Sequence, residues 1–272
     1  YGQPDTVAAL SVSDVLEYHE RWLRQPGVLL VAGDLDRLDL PALGGIAFAG
    51  TGEPAVRERG LVGAELATAR RILLLDRPGS VQSTLRLGHL GPHRAHPDHV
   101  PVLLAGTVIG GAFTSRLNHL LREVRGYTYG VRGEFLFSRR FGRFTVRAAV
   151  HTEVTAAALV DAVAELTRTR AEGVTEEEVA VARSWRAGQL SVENQTTSAL
   201  IGVLASIVVH GLPDDYVPRQ RARLLAATAA DVSPAAANHL RPDDLVLVVE
   251  GDAARIRADL VATGLGEVVD LA

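Results

Sequence analysis

The segment from Gly110 to Gly130 constrains the fold most, because a glycine pair, a short amphipathic stretch and a chain reversal follow one another there. Gly110 and Gly111 interrupt an apolar run and allow two backbones to approach closely. Thr114 or Ser115 is a suitable N-cap for a short helix. The sequence therefore predicts a glycine-bounded loop followed by a capped helix.

That helix is predicted to end at a corner. Leu117, Leu120 and Leu121 recur at helical spacing, which predicts one buried face. Gly126 is typical of the position just after a helix, and a strand containing Tyr129 is predicted to begin next. Arg122 in the last helical turn and Tyr129 thus flank a helix-to-strand corner and can point the same way.

The segment resembles the second half of the M16 metallopeptidases, a family that includes mitochondrial processing peptidase, pitrilysin and insulin-degrading enzyme. The resemblance rests on the Gly-Gly pair, Ser-Arg-Leu, Leu-Arg-Glu and the Gly and Tyr that follow. It implies that Arg122 and Tyr129 form the pair that binds the substrate backbone opposite zinc. The supporting loop implied by the resemblance comprises Gly110, Gly111, Ser115 and Arg116.

The residues alone also allow a structural interpretation of this pair. Arg122 could be a surface cation that complements the helix dipole and pairs with Glu123 or Glu178. Tyr129 could be a core aromatic residue at the start of a strand. The edge of that strand could alternatively pair with an extended peptide.

Composition excludes several classes of protein. The chain has 272 residues, is 47% apolar and carries a formal net charge of −4, which implies no broad nucleic-acid surface. It has no cysteine, hence no disulfide, and no apolar run long enough for a membrane span. It begins at Tyr1 and lacks methionine, so we expect the natural N-terminus to be missing. Abundant Ala, Arg and Val favour a bacterial source, and the cytoplasm is the favoured compartment.

A repeated segment indicates two modules. Residues 13–34 and 230–252 share the order helix, Leu-Arg, proline-containing turn, apolar strand and Gly-Asp. We therefore predict three regions: the tail of a first module at 1–50, a linker at 51–69 and a second module at 70–272. On the M16 resemblance, the missing part of the first module would hold the zinc motif.

The predicted elements favour an α+β fold. In the first region we predict a helix within 7–24, with Ser13 as a possible cap, and a strand at Val28–Ala32. The other predicted strands are 71–76, 81–90, 129–137, 143–150, 245–249 and 268–271. We predict a turn at 77–80 between the first two of these, and a hairpin across 138–142 between the third and fourth. The other predicted helices are 97–109, 155–170, 175–209 with a break near Asn194, 218–230, 234–239 and 253–263. A capping box of Thr175 and Glu178 is predicted to begin the third of these. With the resemblance, this order implies a two-layer α/β sandwich with a mostly antiparallel sheet and helices on one face.

A zinc site of the family type is not expected in this chain. None of its nine histidines lies in an H-x-x-E-H or H-E-x-x-H motif. We interpret His93, His96 and His99 as part of a solvated loop, a metal site being the alternative. No catalytic residue or metal ligand is therefore predicted. Ser115 lacks the G-x-S-x-G context of a serine hydrolase, and the glycine pair lacks that of a nucleotide-binding loop.

The function implied by the resemblance is that of the non-zinc half of an M16 zinc endopeptidase. This half would bind and position a peptide, while zinc on the missing N-terminal region or on another chain hydrolyses it. The chain alone is predicted to be inactive, and its expected partner carries H-x-x-E-H. The alternatives are a zinc-free subunit of a heterodimeric peptidase and a non-catalytic structural homologue, such as those in respiratory complexes.

Overall fold

The computed structural model describes residues 2–52, 69–193 and 195–271. The strands are β1 (Arg71–Asp76), β2 (Gln82–Gly91), β3 (Val131–Phe137), β4 (Gly142–His151), β5 (Val246–Gly251) and β6 (Glu267–Leu271). The helices are α1 (Pro4–Ala8), α2 (Val12–Tyr18), α3 (Leu40–Ala47), α4 (His99–Ile109), α5 (Arg116–Asn118), α6 (Thr155–Glu172), α7 (Glu176–Glu193), α8 (Thr197–His210), α9 (Tyr216–Ala226), α10 (Ala229–His239) and α11 (Ala253–Ala262). Both α2 and α5 continue as π-helical turns, over His19–Leu23 and His119–Val124.

The chain divides into two compact units. One consists of Tyr1–Ala64 with Gln195–Val208, and the other of Glu65–Asn194 with Val209–Ala272. The predicted linker at 51–69 falls almost wholly outside the described residues, as does the predicted helix break at Asn194. The three-region division of the chain stays a prediction.

The first unit departs from the predicted elements. The helix predicted within 7–24 is present as α2 and its π-helical turn, with α1 before it. Its cap is Ser11 rather than Ser13, because the Ser11 hydroxyl accepts a hydrogen bond from the N–H of Asp14. The prediction of a strand at Val28–Ala32 is wrong, because these residues form no regular secondary structure. A strand needs a ladder partner, and residues 2–52 contain no strand to provide one.

The repeat is nevertheless visible in how two helices begin. A carboxylate oxygen of Asp14 accepts from the N–H of Ser11 at 2.8 Å, and one of Asp231 accepts from the N–H of Thr228 at 2.8 Å. Both carboxylates also accept from the neighbouring hydroxyl. These hydrogen bonds lower the pKa of both aspartates. The two helices therefore begin with the same capping arrangement, and the duplication itself stays a prediction.

The second unit is built on a six-stranded sheet in the order β3-β4-β2-β5-β1-β6. The pairs β3–β4, β4–β2 and β2–β5 are antiparallel, whereas β5–β1 and β1–β6 are parallel. The predicted turn between β1 and β2 does not make a hairpin of them, because β5 lies between them. The mostly antiparallel sheet with helices confirms the α+β class.

Alternation along the strands separates two faces of the sheet. Leu85, Leu87, Phe144 and Val146 are buried in the main core, together with residues of α6 and α11. A second apolar cluster joins α4 and α10 to α7 and α9. On the other face, alternate side chains such as Arg86 and Arg147 are exposed. The helices thus cover one face of the sheet, as predicted, and leave an exposed face that bears arginines.

Within the described ranges, no helix combines the length and apolar character that crossing a bilayer requires.

Candidate functional site

A cavity of about 540 Å³ lies where the loop after α4 meets the exposed face of β2, β3 and β4. Both residues of the predicted substrate-binding pair line it, as do both glycines of the supporting loop. Its lining includes Arg86, Gly110, Gly111, Phe113, Arg122 and Tyr129. The structure therefore brings residues from the predicted segment and from the sheet to one place.

Gly110 forms one wall of the cavity by touching the edge strand. The N–H of Gly133 in β3 donates to the carbonyl of Gly110 at 3.0 Å. A Cβ at Gly110 would lie 2.5 Å from both Cα and N of Gly133, and one at Gly111 would lie 2.9 Å from Cα of Thr107. Glycine is thus required at Gly110 for steric reasons, because backbone atoms fill the space a side chain would need.

Ser115 and Arg116, predicted as parts of the supporting loop, anchor it outside the cavity. Ser115 is buried at the N-cap position, although its side chain makes no capping hydrogen bond. The Arg116 guanidinium donates to both carboxylate oxygens of Glu178, at 2.6 and 2.7 Å, and to the Thr169 hydroxyl. A bidentate pair of this kind is well suited to fixing a loop on a helix. Glu178 also forms the predicted capping box with Thr175.

Asn118 is a buried positioning residue that the sequence analysis missed. Its amide donates to the carbonyls of Ala112 and Val131 and to the Ser115 hydroxyl, and its carbonyl accepts from the N–H of Val131. One side chain thereby joins the loop, the helix that carries Arg122 and the start of β3. No spacing rule singles out such an asparagine, because its partner in β3 is distant in sequence.

Arg122 lies over an aromatic ring. Its guanidinium carbon is 3.6 Å from the ring centroid of Phe113, and Nη2 is 3.1 Å from Oε1 of Glu123. The Arg122 side chain is 22% exposed, which leaves it accessible from the cavity. Of the two carboxylates considered as partners, Glu123 contacts it, whereas Glu178 binds Arg116. Stacking on Phe113 holds the guanidinium at the cavity wall.

Tyr129 is 92% exposed, so it is not a core residue. The strand predicted to contain it begins only at Val131, because Gly126, at φ +65°, ends the preceding helical turn and a local turn follows. In that turn the Thr128 hydroxyl bonds both the N–H and the carbonyl of Gly130. Tyr129 therefore projects from a fixed loop beside Arg122.

The strand edge next to Tyr129 is closed to an added strand at Val131. The Asn118 side chain hydrogen-bonds the N–H and the carbonyl of Val131, and the carbonyl of Gly110 accepts from the N–H of Gly133. These are the residues whose backbone would face outward from the start of β3. An extended peptide therefore finds no free backbone group at Val131, and peptide pairing elsewhere along this edge stays a prediction.

The sheet floor of the cavity is cationic. Arg132 and Arg147 each donate to Glu134 at 2.9 Å. Burial raises the pKa of Glu134, but the hydrogen bonds and charges of these two arginines outweigh burial and lower it. Arg86 is exposed and makes no ion pair among the described residues. The sheet floor therefore carries three guanidinium groups and only one carboxylate to neutralise them.

Comparison with known proteins identifies the family. Residues 9–184 match the model of the peptidase M16 inactive domain. The chain belongs to this M16 family. It superposes on the peptidase M16 inactive domain from Pseudomonas fluorescens with TM-score 0.81 and 25% identity, covering 92% of this chain and 59% of that one.

Two further solved structures share the fold. A protease from Helicobacter pylori gives TM-score 0.76 at 17% identity, covering 92% of this chain and 61% of that one. A chain of complex III2 from Candida albicans gives 0.70 at 14% identity, covering 98% and 65%. This chain thus spans about three fifths of the length of each of these three structures. No curated protein sequence matches it.

The zinc motif of M16 peptidases has no counterpart in this chain. Neither H-x-x-E-H nor its reverse occurs in the sequence. The described residues contain one group of three potential ligands, His96, Asp98 and His239, and it includes no glutamate to serve as a base. These residues do not fit the family's hydrolytic zinc site.

The segment around His93, His96 and His99 differs from the predicted solvated loop. His99 lies in the first turn of α4 and is buried against Phe137 and Arg94. Burial, and then the charge of Arg94, lower the pKa of His99 to about 3. Only the preceding residues remain partly exposed, because α4 begins directly after Asp98.

Proposed function

We propose that this M16 chain binds a peptide and presents it for hydrolysis by zinc held on another region or another polypeptide. The observation that carries the proposal is that Arg122 and Tyr129 line one cavity. The H-x-x-E-H motif and the general base would come from that partner region. Zinc there would supply an activated water for attack on the peptide bond.

The chemistry of the pair suits a peptide backbone. The Arg122 guanidinium presents a rigid fork of donors, and the Tyr129 hydroxyl presents one more. Both groups can donate to carbonyl oxygens of an extended peptide. At the scissile carbonyl they would also stabilise the negative charge that develops during attack. Because the β3 edge is closed at Val131, these side chains carry the recognition of the peptide there.

The charge of the cavity favours a peptide with acidic side chains. Glu134 neutralises part of the charge of Arg132 and Arg147, whereas Arg86 faces the same cavity with no such partner among the described residues. An acidic side chain near the bound backbone would meet Arg86. This pairing would also be sensitive to salt, since the guanidinium is exposed.

Two arrangements of the zinc-bearing half fit the proposal: a preceding region of a longer protein, or a separate subunit. The fold also occurs in a chain of complex III2, which supports a scaffold as the second candidate function. Peptide binding distinguishes these functions. A scaffold has no need for the donors of Arg122 and Tyr129 to act on a ligand.

The decisive experiment measures binding of fluorescent acidic peptides to the 272-residue chain by anisotropy. It then measures hydrolysis after an M16 chain with H-x-x-E-H is added. We expect Arg122→Ala to weaken binding about 10- to 100-fold, the range for hydrogen bonds to a charged group. We expect Tyr129→Phe, which removes only the hydroxyl, to weaken it up to about tenfold.

Matched controls are Arg77→Ala and Tyr18→Phe, since both residues are exposed and lie outside the cavity lining. They should bind peptide like the unmodified chain. Equal binding by Arg122→Ala and the unmodified chain would refute the proposal. Hydrolysis that is unaffected by both cavity substitutions would assign substrate positioning to the zinc-bearing half.

A further inference from the structure

His96, Asp98 and His239 converge at the end of α4 remote from the cavity. His96 lies just before α4, Asp98 is its N-cap residue and His239 ends α10. The two helices pack through the apolar cluster that includes Val100 and Ala236, so their ends meet. Potential ligand atoms of the three side chains all lie within 4.8 Å of one another.

The carboxylate of Asp98 is directed at imidazole rather than at its own helix. An N-cap aspartate usually accepts from N–H groups of the first helical turn, yet the Asp98 side chain makes no capping hydrogen bond. Instead its Oδ2 lies 2.8 Å from Nε2 of His239 and 3.9 Å from Nδ1 of His96. The Asp98 carboxylate thus contacts the two imidazoles instead of capping α4.

The two imidazoles of the cluster contact one another edge to face. The ring centroids of His96 and His239 are 4.9 Å apart, with the rings nearly perpendicular at 83°. The ring of His93 lies 5.7 Å from that of His96. All three residues of the cluster are partly exposed, so an ion can enter from solvent.

We propose that His96, Asp98 and His239 form a binding site for a divalent transition-metal ion, with Zn²⁺ the best match. Two imidazole nitrogens and one carboxylate oxygen are ligands that suit Zn²⁺, whereas Ca²⁺ and Mg²⁺ prefer all-oxygen sites. Three protein ligands leave a fourth position for water or for His93. No donor has to be recruited from outside the described residues.

This metal site is distinct from the hydrolytic zinc of the family. The 11 residues of α4 separate it from the cavity by about 16 Å, at 1.5 Å rise per residue. Bound metal would join the start of α4 to the end of α10. Its role is therefore structural, and the ion would stabilise the helices behind the peptide-binding cavity.

The test is a Zn²⁺ titration of the tag-free 272-residue chain after metal removal with EDTA. We expect saturable binding of one equivalent by calorimetry, and a rise in the melting temperature on adding ZnCl₂. In Asp98→Asn and His239→Gln the high-affinity binding and the thermal shift should both be lost. His96→Gln, which changes a residue outside any helix, provides an independent variant should the others fold poorly.

His151→Gln is the matched control, because His151 is exposed at the end of β4 and does not belong to the cluster. It should bind Zn²⁺ like the unmodified chain. Circular dichroism of each variant without metal establishes that it is folded. Absence of saturable binding in the unmodified chain, or unchanged binding in Asp98→Asn and His239→Gln, would overturn the proposal.

Discussion

Asn118 bonds both backbone groups of Val131 through one side-chain amide: Oδ1 accepts from the N–H and Nδ2 donates to the carbonyl, each at 2.8 Å. The amide of Asn118 therefore completes the first position of β3 in the way a neighbouring strand would. Tyr129 lies two residues before this position and Arg122 one helical turn after Asn118. The geometry of the proposed binding pair therefore depends on this one buried side chain.

Replacing Asn118 by alanine should destabilise the fold by about 3 kcal/mol, because the N–H and carbonyl of Val131 would be buried without partners. Urea unfolding measures the change. Asn238→Ala is the control, since Asn238 is exposed on α10 and should stay within about 0.5 kcal/mol of the unmodified chain. Similar losses in the two variants would contradict the positioning role.

Phe113 should orient Arg122 for peptide binding. We expect Phe113→Leu to weaken peptide binding about two- to fivefold, the effect of losing an exposed cation–π contact. Phe113→Trp, which keeps an aromatic face, should restore binding. Anisotropy titrations measure both, with Phe141→Leu as the control because Phe141 lies outside the cavity lining. Failure of Phe113→Trp to bind better than Phe113→Leu would exclude this role.

Arg86 should select acidic peptides. We predict that Arg86→Glu lowers the affinity for an acidic peptide about tenfold at low salt, since attraction becomes repulsion near the protein surface. The difference should shrink as ionic strength rises. Arg71→Glu, on the more distant strand β1, is the matched charge reversal. If it weakens binding equally, net charge rather than the cavity determines the preference.

Gly110→Ala should unfold or strongly destabilise the second unit, because the added methyl meets the backbone of Gly133. Gly188→Ala makes the same chemical change at an exposed helical position, where the added carbon meets no side chain or backbone beyond its own helical turn within 4 Å. Gly188→Ala should stabilise the folded state by about 0.5–1 kcal/mol. Thermal melts of the two variants should therefore shift in opposite directions, and a shift in the same direction would disprove the steric argument.

The free energy of unfolding should decrease as the pH is lowered from 6.5 to 4, because His89 is buried in its uncharged form. Its Nδ1–H donates to the Leu90 carbonyl and its Nε2 accepts from the N–H of Arg241. Burial lowers the pKa of His89 from 6.5 to about 4. The unfolded chain therefore binds a proton first as pH falls, which favours unfolding by up to about 1.4 kcal/mol per pH unit.

Urea unfolding of the unmodified chain and of His89→Gln at pH 7, 6 and 5 tests this prediction. Glutamine does not titrate, so the pH dependence should be reduced in His89→Gln. It should be retained in His151→Gln, which replaces an exposed histidine. Parallel curves for His89→Gln and the unmodified chain would show that His89 does not contribute.

Local signals predicted much of the second unit. The buried faces of Leu117 and Leu121, the capping box at Thr175 and the β3–β4 hairpin each follow from residues close in sequence. The insertion of β5 between β1 and β2 could not be predicted in this way, because turn chemistry between two strands does not determine which strand pairs with them. Long-range order of that kind depends on the packing of the whole core.

The same limit applies to the candidate sites. Arg122 and Tyr129 lie close in sequence, and the motif that contains them predicts that they point the same way. The pattern places Tyr129 in a strand, whereas the structure has it in a loop. Asp98 and His239 are 141 residues apart and meet only because α4 packs on α10. Val28–Ala32 shows the converse error, since an apolar run predicts burial but cannot provide a strand partner.

The contact between Gly110 and Gly133 has a consequence for genetics. Each glycine lies close to main-chain atoms of the other. Amino-acid substitutions change side chains and cannot remove main-chain atoms. A cavity-making change in a neighbouring side chain would therefore create no room for a residue larger than glycine. We expect selections for intragenic suppressors of Gly110→Ala to yield revertants at codon 110 rather than compensating changes at nearby positions.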